Sequence, residues 1–360
     1  HTAHIRSVPG SNPGTATITC VRFYSGNFFF HSSMTGTSLK QSTFVPRFFL
    51  KNRHLQSILA SSRVLVPPHR LLLENTRELI LESSEGSRLL AHYAPHTRPK
   101  GLMIIIHGWE GSSSSAYVLT AGSFFFSRGF SVCRLNLRDH GESHHLNEGL
   151  FHGALLQETF DAVSELARQA GRLPVFVLGF SLGANFSLRI ALKHAQTPVP
   201  QLRRVFAVSP PLDPYKTTLA IDRAPTLYRK YFLQKWKRSL KKKQMLFPSR
   251  YSFTAMLGAK TCMELTEQMM SYFPDFPSYR DYFRLYTLER ESFKELNIPV
   301  TIFTAADDPV IPAEDFQQLV NLPLLEVLHQ PFGGHCGFID LFPHRRWYNE
   351  KIMEMTVASL

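Results

Sequence analysis

Cysteine is scarce in this chain. Four occur in 360 residues, Cys20, Cys133, Cys262 and Cys336, far apart and with no C-x-x-C pair. That excludes a disulfide framework and a cysteine metal site, and it fits a reducing compartment, with cytoplasmic placement expected. Long apolar runs are lacking too. No window reaches the roughly 18 apolar residues that span a bilayer, and the longest, such as LMIII at 102–106, are strand-sized. Acidic residues are few: 28 Asp and Glu stand against 40 Lys and Arg, a net charge of +12. The excess is local, because Ile221 to Arg250 holds ten Lys/Arg and one Asp, a net of +9. Such a stretch favours an anionic ligand or surface, so peripheral contact with an anionic membrane is one expected partner. Nucleic acid is not expected, since the basic residues sit in one segment and no zinc pattern or RNA-binding aromatic motif accompanies them.

What is present is a large-core composition, 44% hydrophobic and 19% charged, which is that of a globular protein. Strand-like runs at 77–82 and 88–94 flank SSEGS, a hairpin signal. Strands at 102–107, 130–136, 175–180, 204–209, 299–305 and 324–330 then alternate with helix-period segments at 116–128, 153–170, 182–195, 312–320 and 344–358. Nearly continuous apolar strands alternating with helices predict a mostly parallel sheet covered on both faces. The rhythm breaks at 213–297, which is aromatic, basic and helical. We read it as an insertion over the carboxyl ends of the strands, where ligands bind in such sheets. The core is then 76–212 with 298–360. Met34 reads as a native start, with 1–33 an upstream or disordered extension and 34–75 a separate N-terminal segment.

GFSLGAN at 179–185 follows the apolar run PVFVL. Gly179-Phe180-Ser181-Leu182-Gly183 thus sits between a buried strand and a helix. A sharp turn there strains the serine and exposes its hydroxyl, and the two glycines let strand and helix approach. A nucleophilic serine needs a base, and the base needs an orienting acid. In chain order these should be Ser, Asp/Glu, His. TAADDPVIP follows strand 299–305 and FGGHCGF follows strand 324–330, so His335 is the base and Asp307 or Asp308 the acid. An oxyanion hole needs two backbone amides. Leu182 supplies one and Trp109, in the loop HGWEG at 107–111, the other. His140, His144, His145 and His152 crowd one loop without a compelling metal spacing, so no metal is expected. His335 and Asp340 form an H-x-x-x-x-D pattern seen in some acyltransferases, although Asp340 also suits the start of a last helix.

Taken with KNRHLQSIL at 51–59, HGWEGSSSSAY at 107–117, LNLRDHGES at 135–143, FHG at 151–153, AVSPPLD at 207–213, AADDP at 305–309 and GGHCGF at 333–338, the chain from about Phe44 onward resembles the α/β-hydrolase superfamily, in its YheT-like branch. The resemblance implies an α/β-hydrolase fold with a helical cap insertion and a cofactor-free esterase or lipase acting on small-molecule acyl esters. It implies Ser181, Asp308 and His335 as the triad, because such hydrolases read G-x-x-D-x-x-x-P after the strand and that pattern, laid on Ala305 to Pro312, selects Asp308. Asp307 is the alternative. Some relatives transfer acyl groups to alcohols with the same residues, and a non-catalytic ligand-binding protein is the remaining rival. The insertion, with Tyr228, Tyr231, Phe232 and Trp236, should wall an apolar acyl pocket.

Overall fold

Side chains along a strand alternate between the two faces of its sheet, so an unbroken apolar run requires cover on both. Leu102–Ile106 is such a run, and every residue in it is buried. In the computed structural model, which describes residues 44–66, 69–341 and 344–360, it belongs to an eight-stranded sheet. In chain order the strands are β1 (Arg77–Glu82), β2 (Arg88–Ala94), β3 (Leu102–Ile106), β4 (Ser131–Leu135), β5 (Val175–Phe180), β6 (Leu202–Val208), β7 (Val300–Ala305) and β8 (Leu325–Gln330). Their spatial order is β1-β2-β4-β3-β5-β6-β7-β8. Strands β3 to β8 are parallel, and β2 runs against both β1 and β4. Expectations on residues 1–33, on Met34 and on Cys20 lie outside the described residues.

The helices are α1 (Arg53–Ser61), α2 (Arg70–Glu74), α3 (Ala116–Phe126), α4 (Leu156–Gln169), α5 (Leu182–Gln196), α6 (Pro214–Arg223), α7 (Thr226–Leu246), α8 (Cys262–Met269), α9 (Tyr279–Arg284) and α10 (Trp347–Val357). Two cores follow from strand alternation. Met103, Ile105, Phe176 and Leu178 pack with Val118 and Phe125 of α3 and Ile352 of α10. Ile104, Ile106, Val175 and Val177 pack with Phe160 and Val163 of α4 and Leu188 of α5. Helices α6 to α9 lie between β6 and β7 in the chain and add no strand to the sheet. Asp213 caps α6 by accepting from Lys216 N at 3.0 Å, and Pro214 takes the first turn, where a missing N–H costs nothing. Among the described residues no helix is long and apolar enough to cross a membrane.

Two expected helices differ. Residues 312–320 form only a 3-10 turn, Ala313–Phe316. Pro309 and Pro312 break the run, and Arg290 draws the carbonyls of Gln318 and Val320 that a helix would have used or exposed. The last helix starts at Trp347, not 344, because His344–Arg346 pairs antiparallel with Ile339–Leu341, as β10 and β9. Buried Arg346 sits in that hairpin and donates to Ala60 O of α1 at 3.1 Å. Asp340 is therefore in β9, not at a helix start, where its carboxylate accepts from Leu341 N.

Candidate active site

Ser181 ends β5 and caps α5 with φ 51° and ψ −120°, a conformation that costs a non-glycine residue about 1–3 kcal/mol. The turn is enforced by close packing. A Cβ on Gly179 would lie 2.2 Å from Gly183 O, and one on Gly183 would lie 2.3 Å from His107 O. Ser181 N donates to Val208 O at 2.9 Å, which ties the elbow to β6. The hydroxyl is thereby fixed above the sheet's carboxyl edge, at the first turn of a helix, where negative charge is favoured.

His335 stands opposite. Its Nε2 lies 3.0 Å from Ser181 Oγ, and its Nδ1 lies 3.0 Å from Asp308 Oδ2. Asp308 is itself fixed, since Oδ1 accepts from Val310 N at 2.8 Å and Ile311 N at 3.0 Å. Asp307 points elsewhere: its Oδ1 accepts from Gly334 N at 2.9 Å, bracing the histidine loop, and its Oδ2 is buried without a partner. Burial pushes the Asp307 carboxyl up. Burial also opposes a proton on His335, but Asp308 and the adjoining Cys336 outweigh it and raise the imidazole well above its ordinary value.

The segment KNRHLQSIL explains itself here. Helix α1, capped by Asn52 on His54 N and Leu55 N, lies against the histidine loop. Ser57 Oγ accepts from His335 N at 2.9 Å, and the Gln56 amide bonds Ile339 on both its N–H and its carbonyl. Gly334 has φ 52°, and a Cβ there would strike Arg53 O at 2.5 Å. Nothing local in the sequence marks Gln56 and Ser57, because their partners lie 283 and 278 positions away.

The loop after β3 is held as tightly. His107 is fully buried, with Nδ1 2.7 Å from Gly108 O and Nε2 accepting from Leu137 N at 3.1 Å. Burial, then neighbouring His140, holds it neutral, well below its ordinary pKa. Tyr117 Oη accepts from Gly108 N at 3.0 Å. Trp109 and Leu182 both border the cavity at Ser181, and the Leu182 amide, the first in α5, has no acceptor within its own helix.

The histidine-rich loop does other work. His140 Nδ1 donates to Arg138 O, His144 Nε2 meets Ser239 Oγ of α7 at 2.8 Å, and His152 packs edge-on against Phe273 and Phe276. Asp340 and His335 do not pair; the Asp340 carboxylate lies 3.9 Å from Arg345. Among the described residues no group of three or more His, Cys, Asp or Glu is placed to hold a metal ion. Of the four expected cap aromatics, Phe232 and Trp236 do border an apolar cavity with Leu182, whereas Tyr228 and Tyr231 border a different, more polar one.

Comparison with known proteins decides the family. The family described as serine aminopeptidase, S33, matches residues 97–322. The chain belongs to this family, within the α/β-hydrolases. An abhydrolase domain-containing protein of Dictyostelium discoideum is 22% identical over 325 residues, 87% of this chain and 80% of that one. The putative esterase YheT of Escherichia coli is 23% identical over 329 residues, 88% of this chain and 94% of its own. An esterase of Pyrococcus furiosus, Pf2001, shares the fold with TM-score 0.54 at 15% identity, covering 81% of this α/β-hydrolase and 93% of its own chain.

Proposed function

We infer that this α/β-hydrolase cleaves carboxylic esters through Ser181, His335 and Asp308. The observation that carries the reading is the line of two 3.0 Å contacts from Ser181 Oγ through His335 to Asp308 Oδ2. With the proton on Nδ1 donated to Asp308, Nε2 accepts from the Ser181 hydroxyl. Ser181 Oγ attacks the ester carbonyl as His335 takes its proton. The oxyanion that forms is met by the amides of Leu182 and Trp109, each such donor supplying about 2.7–4 kcal/mol of transition-state stabilisation. His335 passes the proton to the departing alcohol and leaves an acyl-enzyme. Water, deprotonated by His335, then releases the acid. The similarity to a protein named putative esterase supports an ester over other acyl substrates.

The basic stretch divides. Arg229, Lys235, Lys237, Lys242, Lys243 and Arg250 all bond inward to other residues of the protein. Arg223, Lys230, Arg238 and Lys241 are exposed and are the residues we assign to peripheral contact with anionic lipid. Salt-insensitive partitioning to anionic vesicles would remove that contact. Buried, unpaired Cys133, Cys262 and Cys336 support placement in the cytoplasm.

The test is labelling by a fluorophosphonate probe read by intact mass, beside Ser181→Ala. One adduct on the parent and none on the variant is the expected result. A folded parent that takes no adduct sinks the reading. Ester turnover with added alcohol then separates hydrolysis from acyl transfer, since only transfer yields a new ester.

A further inference from the structure

Two cavities meet at Ser181, and they touch different parts of the chemistry. The larger, about 650 Å³, reaches His335 and is bordered by Glu110, Lys235, Arg63 and serines from the stretches 57–62 and 112–115. The smaller, about 100 Å³, borders Leu182 and is walled by Phe151, Phe273, Phe283, Trp236 and Met270, without His335. Trp109 and Phe232 border both. Their rings stack at 5.6 Å with 10° between planes, so one aromatic pair forms the partition.

The proton path decides which end of an ester goes where. His335 Nε2 must deliver its proton to the oxygen of the leaving alcohol, so that oxygen lies on the His335 side. The acyl chain must leave the reacting carbon in the other direction. The larger cavity is then the alcohol side and the small aromatic cavity is the start of the acyl side. This assignment rests on the ester-hydrolase reading above.

The alcohol side carries charge. Lys235 Nζ is held there by Glu110 O at 3.2 Å and by the Tyr231 ring at 4.7 Å. Arg63 borders the same cavity and is exposed. Glu110 is the acidic side chain on this wall, and burial, against the pull of Lys235, pushes its carboxyl up to about 8. Even with Glu110 ionised, two cations face one anion. We propose that the larger cavity is the alcohol subsite and that Lys235 and Arg63 make it select esters whose alcohol carries an anionic group, phosphate or carboxylate.

Three esters with one medium-length acyl chain test this on the full chain: of glycerol, of glycerol 3-phosphate and of glycerate. The quantity to read is the ratio of kcat/KM for an anionic ester to that for the neutral one, which does not depend on the fraction of folded enzyme. A ratio of about ten or more is expected, the size of one well-placed charge contact. Lys235→Gln and Arg63→Gln should each lower it, the double variant should bring it near one, and Lys235→Arg should keep it. Preference for phosphate without carboxylate, or the reverse, identifies which anion the subsite takes. A neutral ester turned over as well as both anionic ones, or a ratio unmoved in the double variant, overturns the proposal. Failure of the underlying reading looks different: no ester is turned over and Ser181 takes no fluorophosphonate.

Discussion

The two carboxylates that follow β7, Asp307 and Asp308, can be separated by a pair of isosteric changes. Asp308→Asn keeps the volume but removes the charge that holds the His335 Nδ1 proton, and kcat on any accepted ester should fall by about 10³–10⁴. Asp307→Asn keeps an acceptor for Gly334 N and gives its unpartnered buried oxygen a neutral replacement, so kcat should change by less than about tenfold. Equal losses would contradict the assignment of roles. The same residues set a pH dependence. Burial disfavours a proton on His335, yet Asp308 and Cys336 prevail and raise it well above 6.5. In the proposed mechanism the neutral imidazole is the base, so kcat/KM should climb with pH through a midpoint above 6.5, and Asp308→Asn should move that midpoint down. An ascending limb centred at or below 6.5 would count against the pair. Linkage runs the other way. A raised folded-state value means His335 contributes stability that is complete below 6.5 and lost as pH rises through the raised value. Ser181 and His335 were legible in the sequence because glycines frame both. The preference for Asp308 over Asp307 comes only from the family's G-x-x-D-x-x-x-P pattern, a one-residue offset, and the turn at Val310 and Ile311 is what holds the Asp308 carboxylate in place.

At the scale of elements, the strands were readable because burial on both faces leaves an unbroken apolar run. What sequence reasoning missed is held by contacts distant in the chain: α1 by the histidine loop, the 339–346 hairpin by Arg346, and the loss of helix 312–320 by Arg290. The long cap helix α7 shows the same thing. A lysine in a run of basic residues reads as a solvated charge, yet Lys243 is 1% exposed and donates to Asp139 Oδ1, with His144 O, Asn147 O and Gly149 O around it. It pins α7 to the loop after β4. Lys243→Met would strand the Asp139 carboxylate in a site 6% exposed, and removing one partner of such a pair costs about 3–5 kcal/mol. Adding Asp139→Asn removes the stranded charge and should recover part of that loss. Urea unfolding of the two variants reads both numbers. A loss below about 1 kcal/mol for Lys243→Met would place the pair among weak surface contacts instead.

For the whole molecule, the informative feature is how many ionisable groups the fold keeps uncharged around one edge of the sheet. His107, His140 and His144 are nearly inaccessible, and burial lowers all three, His140 to about 4 and His144 to about 3, with Lys242 adding to the latter. A histidine whose folded-state value is depressed contributes stability that is complete above 6.5 and lost as pH falls, because the unfolded chain takes up protons that the fold refuses. Each is worth about 1.4 kcal/mol per pH unit across its window. Two carboxyls oppose them, buried Asp139 and half-buried Glu110. Glu110, up to about 8, and Asp139, up to about 6, bind protons in the folded chain that the unfolded chain does not hold. Half-buried His152, lowered by burial to about 4, acts with the three histidines, and half-buried Asp307, raised by burial, acts with the carboxyls. The depressed histidines outnumber the raised carboxyls, so stability should fall as pH drops from 6.5 to 5.5. The variants should move this slope in opposite directions. His144→Gln keeps a polar partner for Ser239 Oγ and removes one histidine, so the slope should flatten. Glu110→Gln removes a carboxyl that gains from acid, so the slope should steepen. Urea midpoints at pH 7.5, 6.5 and 5.5 measure all three proteins. If the parent is level across that range, or both variants shift the slope the same way, the uncharged cluster is not what makes this fold sensitive to acid.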